Sequence, residues 1–191
     1  IIGRLVGSEM CIRDSNEDAP VEPASMTKVM SSYVVADQIA NDFLSLDDSV
    51  LISEKAWRME GSKMFIEQGK RVSVLDLLKG IIIQSGNDAT VALAEYVGGT
   101  EDGFVDLMNS YAASMGLSNT LFQNSTGLPD GNHFSSAKDL AIMTSLLINN
   151  FPETYSLYKE KYFTFNNIRQ PNRNRLLWKD NSSDGVFTPS E

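Results

Sequence analysis

Two apolar helical patterns meet in this chain with almost nothing between them. Ser73 stands before a run in which Leu75, Leu78 and Ile82 recur at helical spacing, and Asp88 opens another through Val91, Ala92 and Tyr96. Ser85-Gly86-Asn87 is all that separates them, so the chain must turn sharply while both helices remain apolar enough to be buried. Residues 75–83 form the longest buried-looking stretch, yet Asp76, Lys79 and Gly80 interrupt it, and it falls far short of the ~20 residues of a membrane span. The chain therefore calls for a packed helical core. With 42% hydrophobic and 21% charged residues it has the composition to build one, and 191 residues suit one domain, or one domain and a fragment of another. A formal charge of −9 argues against nucleic acid or an anionic membrane surface as the main partner.

Other helices flank this pair. Pro23 suits a helix start, and Met26, Met30, Tyr33 and Val34 fall on one apolar stripe ending near Ala40. Gly98-Gly99 stops the helix that Asp88 opens. A further helix carries Phe104, Leu107, Met108, Tyr111 and Met115, with Gly116 after its end. Ser136 with Asp139 caps the last, which bears Leu140, Met143, Leu146 and Leu147. Residues 16–22 read as a loop and residues 46–67 as irregular or short-stranded, residues 50–52 being the best strand. Residues 162–165, a turn at Asn166-Asn167, and residues 176–178 read as strands or extended segments. The methionines at 26, 30, 108, 115 and 143 read as core filling.

Chemistry must come from few residue types. One cysteine, Cys11, excludes an internal disulfide framework, and one histidine, His133, argues against a His-rich metal cluster. His133 follows Asp130-Gly131-Asn132 and reads as a solvated loop residue. Ser25-Met26-Thr27-Lys28 puts a hydroxyl and an amine three residues apart, on one helix face. A serine needs a base to become nucleophilic, and a lysine desolvated at the positive end of a helix can be one. The spacing is not selective, because Ser-x-x-Lys recurs at Ser135–Lys138 and Ser156–Lys159. Ser85-Gly86-Asn87, the sole Ser-x-Asn, is by itself good turn and capping chemistry.

The two motifs together resemble the penicillin-recognising serine enzymes, which carry S-x-x-K, S-x-N and, on a strand, K-T-G. Within that group the chain is similar to the D-alanyl-D-alanine carboxypeptidases, the low-molecular-mass penicillin-binding proteins. The resemblance extends through Glu60-Gly61-Ser62-Lys63-Met64-Phe65, Gln84-Ser85-Gly86-Asn87-Asp88-Ala89, Phe104-Val105-Asp106-Leu107-Met108-Asn109, Gly116-Leu117-Ser118-Asn119-Thr120 and Asn172-Arg173-Asn174-Arg175-Leu176-Leu177-Trp178, and covers roughly residues 18–186. It implies an α+β chain, the helical subdomain of the β-lactamase/transpeptidase-like fold with most of its central antiparallel sheet missing.

The resemblance also implies roles. Ser25 attacks the carbonyl between the two terminal D-alanines of a peptidoglycan stem peptide, and Lys28 takes its proton. Ser85 passes a proton toward the leaving D-alanine, and Asn87 holds the substrate amide. Ser62, in a loop over the site, contacts substrate or tunes deacylation. β-Lactam antibiotics mimic the dipeptide; no metal or cofactor is implied. Arg169, Arg173 and Arg175 either meet an anionic substrate or make surface salt bridges. The implied location is the periplasm or the outer face of the bacterial cytoplasmic membrane, with the full-length protein membrane-associated.

The ends depart from the family. Residues 1–15 resemble a translated sequencing adaptor, with a genuine N-terminal strand as the alternative. Asp184-Gly185-Val186 runs into Phe187-Thr188-Pro189 where the family continues Lys-Thr-Gly. The expectation is a non-native segment at 1–15, a partial serine carboxypeptidase/transpeptidase-like domain at 16–186, and a truncation artefact at 187–191. The chain as given is then expected to be inactive. A serine β-lactamase and a non-catalytic fragment are the competing readings.

Overall fold

The computed structural model describes residues 16–179. After a 3-10 turn, Ala24–Met26, come α1 (Thr27–Ala40), β1 (Ser49–Leu51), α2 (Glu54–Arg58), β2 (Arg71–Ser73), α3 (Val74–Gln84), α4 (Asn87–Gly98) and α5 (Glu101–Ser114). Then follow α6 (Ala137–Asn150), α7 (Pro152–Ser156), a 3-10 turn at Leu157–Lys159, β3 (Tyr162–Phe165), β4 (Ile168–Pro171) and α8 (Leu176–Lys179).

Helix α1 is the axis of the domain, touching α3, α4, α5 and α6. The single apolar stripe expected of it understates its burial. Every residue from Thr27 to Ala36 is buried, Lys28, Ser31 and Ser32 included. A helix enclosed on all sides needs no strong amphipathic contrast, but each polar group it buries then needs a partner. The methionines at 30, 108 and 143 are fully buried, and those at 26 and 115 pack against the core as filler.

The junction of the two apolar helices falls where the sequence places it. Ser73 caps α3 by accepting from the Asp76 amide, and Ser85 ends the helix in the left-handed region, φ 54° and ψ 36°. Asn87 then starts α4, one residue earlier than expected. Thr100 and Ser136 cap α5 and α6 in the same manner as Ser73, accepting from Gly103 and Asp139.

Strand content is slight: two antiparallel pairs, β1–β2 and β3–β4, among the described residues. Val50 faces Val72 across β1–β2 with both buried, and Phe163 faces Gln170 across β3–β4. The β3–β4 turn is Asn166-Asn167 with positive φ at both, the two-residue geometry that suits strand twist. The first strand runs over 49–51 rather than 50–52. Residues 176–178, read as extended, instead form α8: Asn174 accepts from the Leu176 amide and caps a single turn. Helix α2 lies in the segment read as irregular; Ser53 caps it by accepting from Ala56. Five residues are too few for periodicity to reveal it. The terminal segments at 1–15 and 187–191 lie outside the described residues.

Gly98, the last residue of α4, sets the close approach to α5. A Cβ there would stand 2.3 Å from the Phe104 nitrogen and 2.7 Å from its Cα, atoms fixed within a helix. Gly98→Ala is expected to cost about 2 kcal/mol, read as a lowered urea midpoint at unchanged slope. A change within about 0.5 kcal/mol, the range of ordinary surface substitutions, would show that the corner gives way.

Candidate active site

Ser25 lies half-buried in the 3-10 turn that leads into α1. The residue before it, Ala24, has φ 45°, a region that side-chain-bearing residues avoid at a cost of about 1–3 kcal/mol. Surrounding structure holds that conformation. Gly127 presses so closely on Ala24 that a Cβ on it would fall 1.8 Å from the Ala24 oxygen and 2.8 Å from Thr27 Oγ1. With φ +82°, Gly127 is glycine for both space and backbone geometry.

Lys28 is 1% exposed, and its Nζ donates to the Thr126 carbonyl at 2.7 Å. Burial pulls its pKa down to about 7, with the positive charge of Arg173 adding to the effect. Lys28 is also the second residue of α1, where the helix dipole opposes a cation. Near neutral pH a large share of this amine is therefore unprotonated and able to accept a proton.

The Ser85-Gly86-Asn87 corner supplies the second set of groups. Ser85 is buried at the end of α3, and among the described residues its Oγ has no hydrogen-bond partner. A buried hydroxyl without a partner is uncommon enough to mark a place reserved for one. Asn87 is turned to the loop at 60–66: its backbone amide donates to the Ser62 carbonyl and its side-chain Nδ2 to the Glu60 carbonyl, both at 2.7 Å. Ser62 is thus attached to the Ser85 corner through its own backbone. Gly61 packs so tightly on Asn87 that a Cβ would meet Nδ2 at 2.9 Å. The structure brings Asn87 and Ser62 together directly. Ser25 and Lys28 come from the start of α1, which packs on α3 and α4, the helices whose junction is this corner.

Three further groups, which the sequence did not assign to the site, belong to it. Asp88 is buried, and its carboxylate accepts from the backbone amides of Met64, Phe65 and Ile66 at 3.0–3.3 Å. It holds Phe65 at φ 69° on the exposed lip of that loop. From the sequence Asp88 reads only as the residue that opens a helix.

His133 is the second, and it corrects an expectation: it is buried rather than solvated. Its Nδ1 accepts from the Gln123 amide at 3.1 Å, which leaves the proton on Nε2 to be donated to Thr27 Oγ1 at 2.8 Å. Burial pushes its pKa down against the pull of Asp130 and Glu22, so the ring is neutral at pH 7. The polar neighbours Asp130, Gly131 and Asn132 suggested exposure, but the bridge between Leu121 and Phe134 folds the ring inward against Phe122.

The third is the turn at 124–127, whose Asn124 Oδ1 accepts from the Thr126 and Gly127 amides. It supplies the carbonyl that holds Lys28. A cluster of Asn, Ser, Thr and Gly reads as a loop in sequence, with no sign of which helix it will meet.

The basic residues divide. Arg173 acts on Lys28 through its charge, whereas the Arg169 guanidinium lies 3.7 Å from the centre of the Tyr162 ring. Arg175 is exposed. Among the described residues no group of three or more His, Cys, Asp or Glu side chains converges as a metal site would require.

Comparison with known proteins matches the chain to one family. Residues 7–189 match the family described as D-alanyl-D-alanine carboxypeptidase. The chain is 49% identical over 184 residues to the D-alanyl-D-alanine carboxypeptidase DacC of Escherichia coli, covering 93% of this chain and 46% of that protein. It is 48% identical over 177 residues to DacA of Haemophilus influenzae, covering 91% and 45%. Among solved structures, penicillin binding protein 5 of Haemophilus influenzae superposes with a TM-score of 0.87 at 47% identity, over 90% of this chain and 51% of the other. Penicillin binding protein 6B of Escherichia coli gives 0.88 at 42% identity, over 93% and 58%. The chain spans about half the length of the curated relatives it matches. The fold is the α+β, mostly helical part of theirs.

The Asp88 clamp makes a test independent of any reaction. Asp88→Ala is expected to speed amide hydrogen exchange at Met64, Phe65 and Ile66 by ~100-fold or more, since three donors lose one shared acceptor. Exchange unchanged at those amides would mean that the loop is held by other contacts.

Proposed function

The chain belongs to the D-alanyl-D-alanine carboxypeptidase family, and on that premise we propose that its site is the acylating half of a serine-type D-Ala-D-Ala carboxypeptidase. The buried, low-pKa Lys28 three residues after Ser25 is the observation that carries the reading. A neutral amine beside a serine has no stabilising role that would justify its burial, but it is what an activated nucleophile needs.

In this reading Ser25 Oγ attacks the carbonyl carbon between the two terminal D-alanines of a peptidoglycan stem peptide. Its proton passes to Lys28 Nζ as the C–O bond forms. The tetrahedral intermediate collapses by breaking the C–N bond, and the leaving D-alanine nitrogen receives that proton through the Ser85 hydroxyl. The unpartnered Oγ of Ser85 supports this relay, because it is free to accept from the lysine and donate onward. Water then attacks the ester carbonyl, giving a proton to Lys28, which passes it to Ser25 Oγ as the acyl C–O bond breaks. Asn87 and Ser62 line the substrate side, and a β-lactam enters by the same first step and stays as a slow-to-hydrolyse ester. In this reading the protein works where peptidoglycan stem peptides are met, in the periplasm or at the outer face of the bacterial cytoplasmic membrane.

The sequence carries Phe187 where the family has the lysine of Lys-Thr-Gly. That lysine's charge would meet the substrate carboxylate, and Phe187 carries none. Loss of a charge that pairs with a bound carboxylate costs about 2–5 kcal/mol, so acylation by this chain is expected to be impaired. The resemblance around residues 172–178 and the relatives' names favour a carboxypeptidase over a β-lactamase.

A fluorescent penicillin tests both parts. Labelling about 100-fold slower than for the DacC protein is expected from the lost charge at 187, and it should vanish in Ser25→Ala. Because only unprotonated Lys28 acts as base, the rate should fall about tenfold per pH unit below pH 7 and level off above it. Labelling that survives Ser25→Ala removes the nucleophile assignment, and full-speed labelling removes the penalty assigned to Phe187. Absence of any labelling after long exposure supports the non-catalytic fragment instead.

A further inference from the structure

Lys28 owes its place to a backbone carbonyl, and that carbonyl is itself tethered from outside the site. Glu101, the first residue of α5, is buried, and its two oxygens do different things. Oε1 accepts from both Ser125 N, at 3.2 Å, and Ser125 Oγ, at 2.7 Å. Oε2 pairs with Lys55 Nζ at 2.8 Å, and Lys55 is half-exposed. Burial by itself would raise the Glu101 carboxyl, but the hydrogen bonds from Lys55 and Ser125 outweigh it and hold it below the usual carboxylate range.

Ser125 is the hinge of the turn that meets α1. Its carbonyl accepts from Ser31 Oγ at 2.7 Å, and the next carbonyl, that of Thr126, takes Lys28 Nζ. The residue after that, Gly127, packs on Ala24 and Thr27 at the start of the nucleophile's helix. One short turn therefore sets the base and buttresses the nucleophile. Glu101 is the charged group that fixes the turn's far side.

We propose that Glu101 is a positioning residue for the Ser25–Lys28 pair, acting through Ser125 to hold the Thr126 carbonyl against the lysine amine. This rests on the assignment of Lys28 as the base. Without the Ser125 tether, the turn draws back, water reaches the amine, and the lysine regains its proton at neutral pH. Other charges also bear on this region. Arg173, after β4, acts on Lys28 directly, His133 of the 121–135 segment touches α1 at Thr27, and Glu95 and Asp102 act on Lys55.

The oxygens' division of labour gives the test. Glu101→Gln keeps Oε1 for Ser125 and loses the ion pair; Glu101→Ala loses both; Lys55→Met loses only the ion pair. The Lys28 titration is followed in the whole chain by heteronuclear NMR of its Cε and Nζ. Glu101→Ala is expected to raise the midpoint by about one unit, as rehydration of a buried amine does, with Glu101→Gln and Lys55→Met within about 0.3 unit. The pH dependence of penicillin labelling should move with it. A purely structural role would lower the melting temperature and leave both midpoints in place. An unmoved Glu101→Ala midpoint overturns the proposal, as does an equal shift in Lys55→Met. Should Glu101→Ala not fold, Ser125→Ala decides: an upward shift of about half a unit supports the tether, and none overturns it. The NMR readout needs no turnover. A wild-type chain whose lysine titrates near 7 but takes no penicillin would refute the catalytic reading and leave this one standing.

Discussion

A lysine amine enclosed at the start of a buried helix is the constraint around which the rest is arranged. Low dielectric and the helix dipole both disfavour its protonated form, and Arg173 adds a third contribution of the same sign. Among the described residues no carboxylate acts on it. Its hydrogen-bond partner is a neutral carbonyl, which orients the amine without fixing a proton on it. A carboxylate in that place would stabilise the protonated form and make the group useless as a base. The fold therefore keeps Glu101 one step away, against the turn rather than against the amine.

The same preference for backbone ties governs the opposite wall. Asn87 and Asp88 begin α4 and spend their side chains on the loop at 60–66, which has no regular structure of its own to satisfy its amides. Three loop amides converge on one carboxylate, so a helix N-terminus sets the loop together with the burial of Met64 and Ile66. That leaves Ser85 as the buried polar group at the corner whose oxygen is not committed. Strain collects at the same places. Ala24, Phe65 and Ser85 all have positive φ without being glycine, and each adjoins a site group.

The sequence made the helices legible because their caps and apolar periods agree. Ser73, Thr100 and Ser136 each accept from an amide three residues on, and the break at Ser85-Gly86 falls between two runs that could not both continue. The motif residues were legible by resemblance, which located Ser25, Lys28, Ser85, Asn87 and Ser62 but not what holds them. Their supports come from far along the chain: Thr126 is 98 residues from Lys28, and His133 is 106 from Thr27. No local period encodes such pairings. Residues 176–178 misled for a related reason. Three apolar residues fit a strand or a helical turn equally, and the Asn174 side chain settled it.

Polar residues near turns were the ones most easily misjudged, and the reason is general to this site. An Asn, Asp or His beside glycine is expected in solvent, since loops run over surfaces. A reaction at a serine needs loops that are buried instead, because water must be kept from the amine. Buried loops leave backbone groups to be satisfied, and short polar side chains such as Asn124, Asp88 and His133 are what can reach them. The polar composition that reads as surface is therefore what an enclosed, loop-built site requires. Distinguishing the two takes the partner of each side chain, and that partner is fixed by how α1 threads through the other helices.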